Sequence, residues 1–141
     1  MANILVLGVN GLAVLVCAIV AHGLGALWYG KLFSKQWMQL SGMTEADMKK
    51  AKEKGMAKTY VLSFLSNVVM AYVLAWAVQS TQITSAATGA MMGFWAWLGY
   101  IATVELGTVL WENKPWKLYF INAGHYLVTL LVMGAILGLW K

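Results

Sequence analysis

Apolar residues run in four long stretches, at about 4–29, 59–79, 86–111 and 116–140, each long enough to cross a bilayer as a helix. The first would rise roughly 39 Å at about 1.5 Å per residue, against a hydrocarbon core of about 30 Å. Polar punctuation separates the stretches. The string Ser80-Thr81-Gln82 is too short a linker for anything but an antiparallel return. The segment Glu112-Asn113-Lys114-Pro115 breaks the third stretch, because proline lacks a backbone donor and disfavours helical geometry in the residue before it. The pattern predicts an all-α integral membrane protein. It would be an antiparallel bundle of four transmembrane helices with a short interfacial helical segment between helices 1 and 2, a single transmembrane domain over residues 1–141.

The inner loop, 31–58, is the one substantial polar segment, and its pattern predicts two short helices. Phe33, Trp37 and Leu40 recur at helical spacing among Lys35, Gln36 and Gln39, which would lay an apolar face into the membrane interface beside Lys31. Ser41-Gly42 ends that piece. Thr44 is a good N-cap, Asp47 stands where a capping box needs a side-chain acceptor, and Met43 with Met48 has the spacing of a hydrophobic staple. Lys49, Lys50, Lys52 and Lys54 then fall towards the C-terminal half of the second helix, where the macrodipole favours cations, before Gly55.

Charge orients this map. The chain has ten basic residues, all lysine, and nine of them lie in the loops 31–58 and 112–117, while the loop 80–85 carries no charge. Cytoplasmic loops collect lysine and arginine, so the expectation is a multi-pass protein of the cell (inner) membrane with the lysine loops inside and both termini outside. No Lys or Arg precedes the first stretch, which is also longer than a signal-peptide core, so it reads as a retained helix. Trp28, Trp111 and Trp116 fall near the inner boundary and Trp76 and Trp140 near the outer one, whereas Trp95 and Trp97 fall mid-membrane, in reach of lipid or a neighbouring helix. A composition of 61% apolar and 11% charged residues leaves too little polar surface for a soluble domain. The net charge of +5 is explained by anionic lipid headgroups meeting the lysine loop, without nucleic acid. Cys17, the lone cysteine, reads as a small apolar packing residue.

Two tracts carry a family resemblance. GALWYGKLFSKQW, from Gly25 to Trp37, and ENKPWKLYFINAGHYLVTLLVMGAILGLW, from Glu112 to Trp140, resemble the bacterial membrane family catalogued as domain of unknown function 1761. The resemblance implies a small protein of four transmembrane helices without an established activity, and supplies no catalytic residues. After the Trp-Tyr pair this chain has Gly30-Lys31, where the family's usual tract has a small residue and proline.

Chemistry is mostly absent from the motifs. There is no phosphate-cradling glycine loop, no HExxH, no paired cysteines and no nucleophile elbow, so neither an enzyme nor a resident cofactor is expected. Gly89 with Gly93, and Gly134 with Gly138, are small residues four apart that let helix backbones approach closely, within one chain or across a homo-oligomer. The polar residues inside the spans are more telling, since a helix should not turn them to lipid. Counted from the lysine side, His22, Asn67, Glu105, Asn122 and His125 all fall roughly 9 to 14 Å deep at about 1.5 Å per residue. Three function classes follow. In a structural or accessory membrane protein this layer is interhelical glue and the lysine loop is the working surface. In an oligomeric proton-linked transporter or channel, the layer is a path. In a redox or metal protein, His22 and His125 hold haem or a metal. The first is the expectation, for want of a positive signal for the others.

Overall fold

The computed structural model describes residues 8–140, so the expected start of the first span at Ile4, and Lys141, lie outside the described residues. Asn10 caps the first helix, α1 (Gly11–Leu27), its side-chain oxygen accepting from the N–H groups of Leu12 and Ala13 at 3.0 and 3.2 Å. The helix runs on into a π-helical turn, Trp28–Leu32, closed by the Phe33 N–H on the Trp28 carbonyl at 2.9 Å. That widened turn occupies the Trp-Tyr-Gly-Lys tract.

Two short helices follow, α2 (Ser34–Ser41) and α3 (Glu45–Lys54). Gly42, at φ 80°, ends α2 in the left-handed region. Thr44 opens α3 with a reciprocal capping box: its hydroxyl accepts from the Asp47 N–H at 3.1 Å, and its own N–H donates to the Asp47 carboxylate at 3.0 Å. That backbone donor holds the Asp47 carboxyl below the usual carboxylate range. Helix α4 (Ala57–Ser80) returns along α1, and a turn through Gln82, at φ 57°, leads to Ser85, whose hydroxyl caps α5 (Ala86–Trp97).

The third apolar stretch departs from the expected continuous span. It passes from α5 through a second π turn, Leu98–Ala102, into α6 (Thr103–Glu105) and, after a break at Leu106, α7 (Gly107–Leu110). Side-chain hydroxyls contribute locally. Thr103 donates to the Gly99 carbonyl at 2.8 Å and Thr108 to that of Glu105 at 2.7 Å, bonds of the kind that compete with and bend a helical ladder. The last helix, α8 (Trp116–Leu139), starts directly after Pro115, where a missing N–H costs nothing. Among the described residues there is no strand, and three helices are long and apolar enough to cross a membrane: Gly11–Leu32, Ala57–Ser80 and Trp116–Leu139.

Packing is uneven along the bundle. Ala13, Cys17 and Ala21 of α1, Ala71, Leu74, Ala75 and Val78 of α4, and Leu130, Met133 and Leu137 of α8 form one core. These are the first part of α1 and the later parts of α4 and α8, so the core sits at the end away from the lysine loops. Before Ala71, α4 buries nothing. Beside this core α5 lies flush on α8. A Cβ on Gly89 would run into the Gly134 carbonyl, and one on Gly93 into that of Leu130. Equally, a Cβ on Gly134 would meet the Gly89 carbonyl and one on Gly138 that of Ser85. The four glycines are therefore engaged within the chain, at a seam that only hydrogen side chains allow.

Candidate functional site

Where the core stops, the helices part around an open-sided cavity of about 670 Å³, within the range of small-molecule sites, with Thr59, Tyr60, Ser63 and Ser66 exposed along its α4 side. Each wall follows from helical spacing. His22, Gly25 and Tyr29 share one face of α1 and its π turn; Thr59, Ser63, Ser66 and Asn67 line it from α4; Ile101 and Glu105 from the broken segment; His125 and Tyr126 from α8. A second space of about 290 Å³ adjoins it, lined by Tyr29, Trp37, Glu105, Asn122 and Tyr126. Tyr29, Glu105 and Tyr126 line both.

Of the five polar residues singled out by depth, the structure brings His22, Asn67, Glu105 and His125 to the larger space and Asn122 to the smaller. It does not join them to one another. Asn122 accepts a hydrogen bond from the Tyr29 hydroxyl at 2.8 Å. His22 sits edge-on to Tyr60 and Phe64, with ring centroids 6.3 and 6.0 Å away. Among the described residues no hydrogen bond engages the Glu105 carboxylate, which corrects the expectation that it is bonded to a neighbouring polar group; only its backbone carbonyl accepts, from Thr108. The reason is distance from the tight core, since the helices that carry these groups separate around the cavity instead of pressing them together.

His125 is the most constrained of the five. Both its ring nitrogens are buried and neither has a hydrogen-bond partner. Its ring lies among those of Tyr126, Tyr29 and Trp28, at centroid distances of 4.9, 5.2 and 6.1 Å. Gly25 leaves it room: a Cβ there would stand 3.4 Å from His125 Nε2. An unpartnered buried polar atom costs about 1–3 kcal/mol, and here both nitrogens are sealed among the surrounding rings while the residue lines the cavity.

The remaining tryptophans and the loop complete the picture. Trp28 donates from its indole N–H to the Ile121 carbonyl at 2.9 Å, and Trp97 to that of Ala123 at 2.7 Å, so both tie neighbouring segments to α8. Trp95 is exposed. Lys31, Lys49 and Lys50 are exposed as well. Phe33 and Trp37 are half-buried and also contact the protein: Phe33 packs on Trp28 at 4.9 Å and Trp37 meets Tyr29 at 6.0 Å. Helix α2 folds back against α8. Among the described residues no three His, Cys, Asp or Glu side chains are grouped to hold a metal ion.

Sequence reasoning missed Tyr29 and Tyr126. Both read as ordinary aromatics, yet Tyr126 is four residues after Asn122, and Tyr29 is seven after His22, which puts each on a face already marked as polar.

No curated protein and no solved structure matches the chain. Residues 12–138 match the family described as "Protein of unknown function (DUF1761)", covering the helices that build the cavity and the glycine seam, and the chain belongs to that family.

Proposed function

We propose that the chain is a small multi-pass membrane protein that takes a small polar solute into the cavity between α1, α4, α6 and α8. The carrying observation is a space of about 670 Å³ within the helices that His22, Asn67, Glu105 and His125 all line. Residence in a bilayer is supported by the outer face of α4, where Val61, Leu62, Leu65, Val69 and Val73 are exposed in succession, an apolar surface that calls for lipid. The helical stretch 86–110 supplies the fourth crossing, and its irregular part brings Ile101 and Glu105 to the cavity. The lysine loops face inward, so the cavity opens towards the cytoplasmic half.

Access distinguishes this reading from a sealed layer. In a Cys17→Ala background, Ser63→Cys on the cavity wall and Val69→Cys on the exposed face are treated with a charged, water-soluble thiol reagent in nanodiscs. The cavity reading expects Ser63→Cys to react and Val69→Cys to stay protected, since a thiolate forms only where water reaches. If neither reacts, no solute enters.

An accessory role draws on a different observation. Helix α3 buries no residue and carries Lys49, Lys50, Lys52 and Lys54, a free basic surface suited to anionic headgroups or an acidic partner. The two roles use different residues, since none of the cavity's lining residues belongs to α3.

A further inference from the structure

We propose that the solute is a small organic cation, a protonated or quaternary amine, held by the Glu105 carboxylate between Tyr29 and Tyr126. The inference rests on the reading of the cavity as a solute site and names the chemistry that site selects. Glu105 is the only Asp, Glu, Lys or Arg among the residues lining either space, and no ion pair or hydrogen bond engages its carboxylate among the described residues. A carboxylate within a membrane-spanning segment is stabilised by a counter-charge, and no lysine or arginine of the wall supplies one.

The rest of the wall suits a cation and opposes an anion. Tyr29 and Tyr126 stand with Glu105 at the junction of the two spaces, and aromatic rings attract ammonium groups through their quadrupoles. Trp37 of α2 lines the smaller space beside them and adds a third ring. An anion would meet Glu105 with no lysine or arginine in the wall to offset it. His22 and Asn67 line the larger space and supply polar groups for the rest of the ligand. Tyr29 is already fixed by its bond to Asn122, so the aromatic side of the site is preorganised.

Three single-ring probes separate the possibilities: phenyltrimethylammonium, benzyl alcohol and benzenesulfonate, titrated by calorimetry into the full chain in nanodiscs against empty nanodiscs. The expected result is that phenyltrimethylammonium binds at least tenfold more tightly than benzyl alcohol, with no saturable binding of benzenesulfonate. Glu105→Gln, checked for wild-type helix content and a monodisperse profile, should weaken the cation at least tenfold and change benzyl alcohol less than twofold. Glu105→Asp, which keeps the charge, should retain the preference for the cation. Unchanged cation affinity in Glu105→Gln, or benzenesulfonate binding as tight as the cation's, overturns the inference and leaves the cavity reading standing. Absence of saturable binding by all three overturns both.

Discussion

Asn122 and His125 stand three residues apart on one face of α8, and they behave oppositely. The first closes an interhelical hydrogen bond with Tyr29 and the second closes none. Their substitution should therefore separate structure from function. Asn122→Leu is expected to cost about 0.5–1.5 kcal/mol, the worth of a hydrogen bond inside a protein, and to lower the thermal midpoint. His125→Leu, which removes no protein hydrogen bond, should leave that midpoint unchanged or raised. The opposite order in a detergent melting series would make His125 the structural residue. At this scale the sequence was informative about depth and silent about partners. Counting residues along each span places His22, Asn67, Glu105, Asn122 and His125 in one layer, but whether such groups touch depends on how far apart the helices stand, which hydropathy does not encode.

Helix ends and seams were the more legible features, because their causes are local. The Thr44 box follows from side chains three residues apart, and it forms. Thr44→Ala should cost α3 about 1 kcal/mol, seen as faster amide exchange in α3 with α4 unaffected. The same box sets a pH dependence. The Asp47 carboxyl titrates below its ordinary range, so its contribution is fully present above the unfolded value and is lost as pH falls through the folded one. Protection of α3 should hold from neutrality to about pH 5 and decline below about pH 4, whereas a decline already complete at pH 6 would remove Asp47 from the account. The glycine spacing was legible as a seam, within one chain or between copies, and the four glycines are engaged within the chain. Gly93→Ala sets a gain in helix propensity of about 1 kcal/mol against overpacking of about 1–3 kcal/mol. The obstacle is the Leu130 backbone, which cannot swing aside, so net destabilisation is expected in a thermal or denaturant series. The π turns at Trp28–Leu32 and Leu98–Ala102 left no trace in the hydropathy pattern, since a π turn is defined by its hydrogen-bond register and not by how apolar its residues are.

For the molecule as a whole, the gradient of side-chain size and polarity along the helices explains the polarised packing. Small residues at one end, Ala13, Cys17, Ala71 and the four seam glycines, bring backbones together; polar and aromatic ones at the other, Tyr29, Asn67, Glu105 and Tyr126, surround a space. Apolar stretches announced an all-helical chain plainly, whereas the division of the third stretch into short helices around π geometry was not visible in its composition. The contacts of Phe33 with Trp28 and of Trp37 with Tyr29 were not legible either, because an amphipathic helix shows which side is apolar and not which neighbours it will meet. A high-resolution structure of the full chain in a lipid nanodisc tests the central claim most directly. The account predicts an open cavity holding ordered non-protein density within about 2.7–3.2 Å of a polar side-chain atom of Glu105, His22 or Asn67. A collapsed layer, with the Glu105 carboxylate bonded directly to His22 or His125 and no density between the helices, would contradict it.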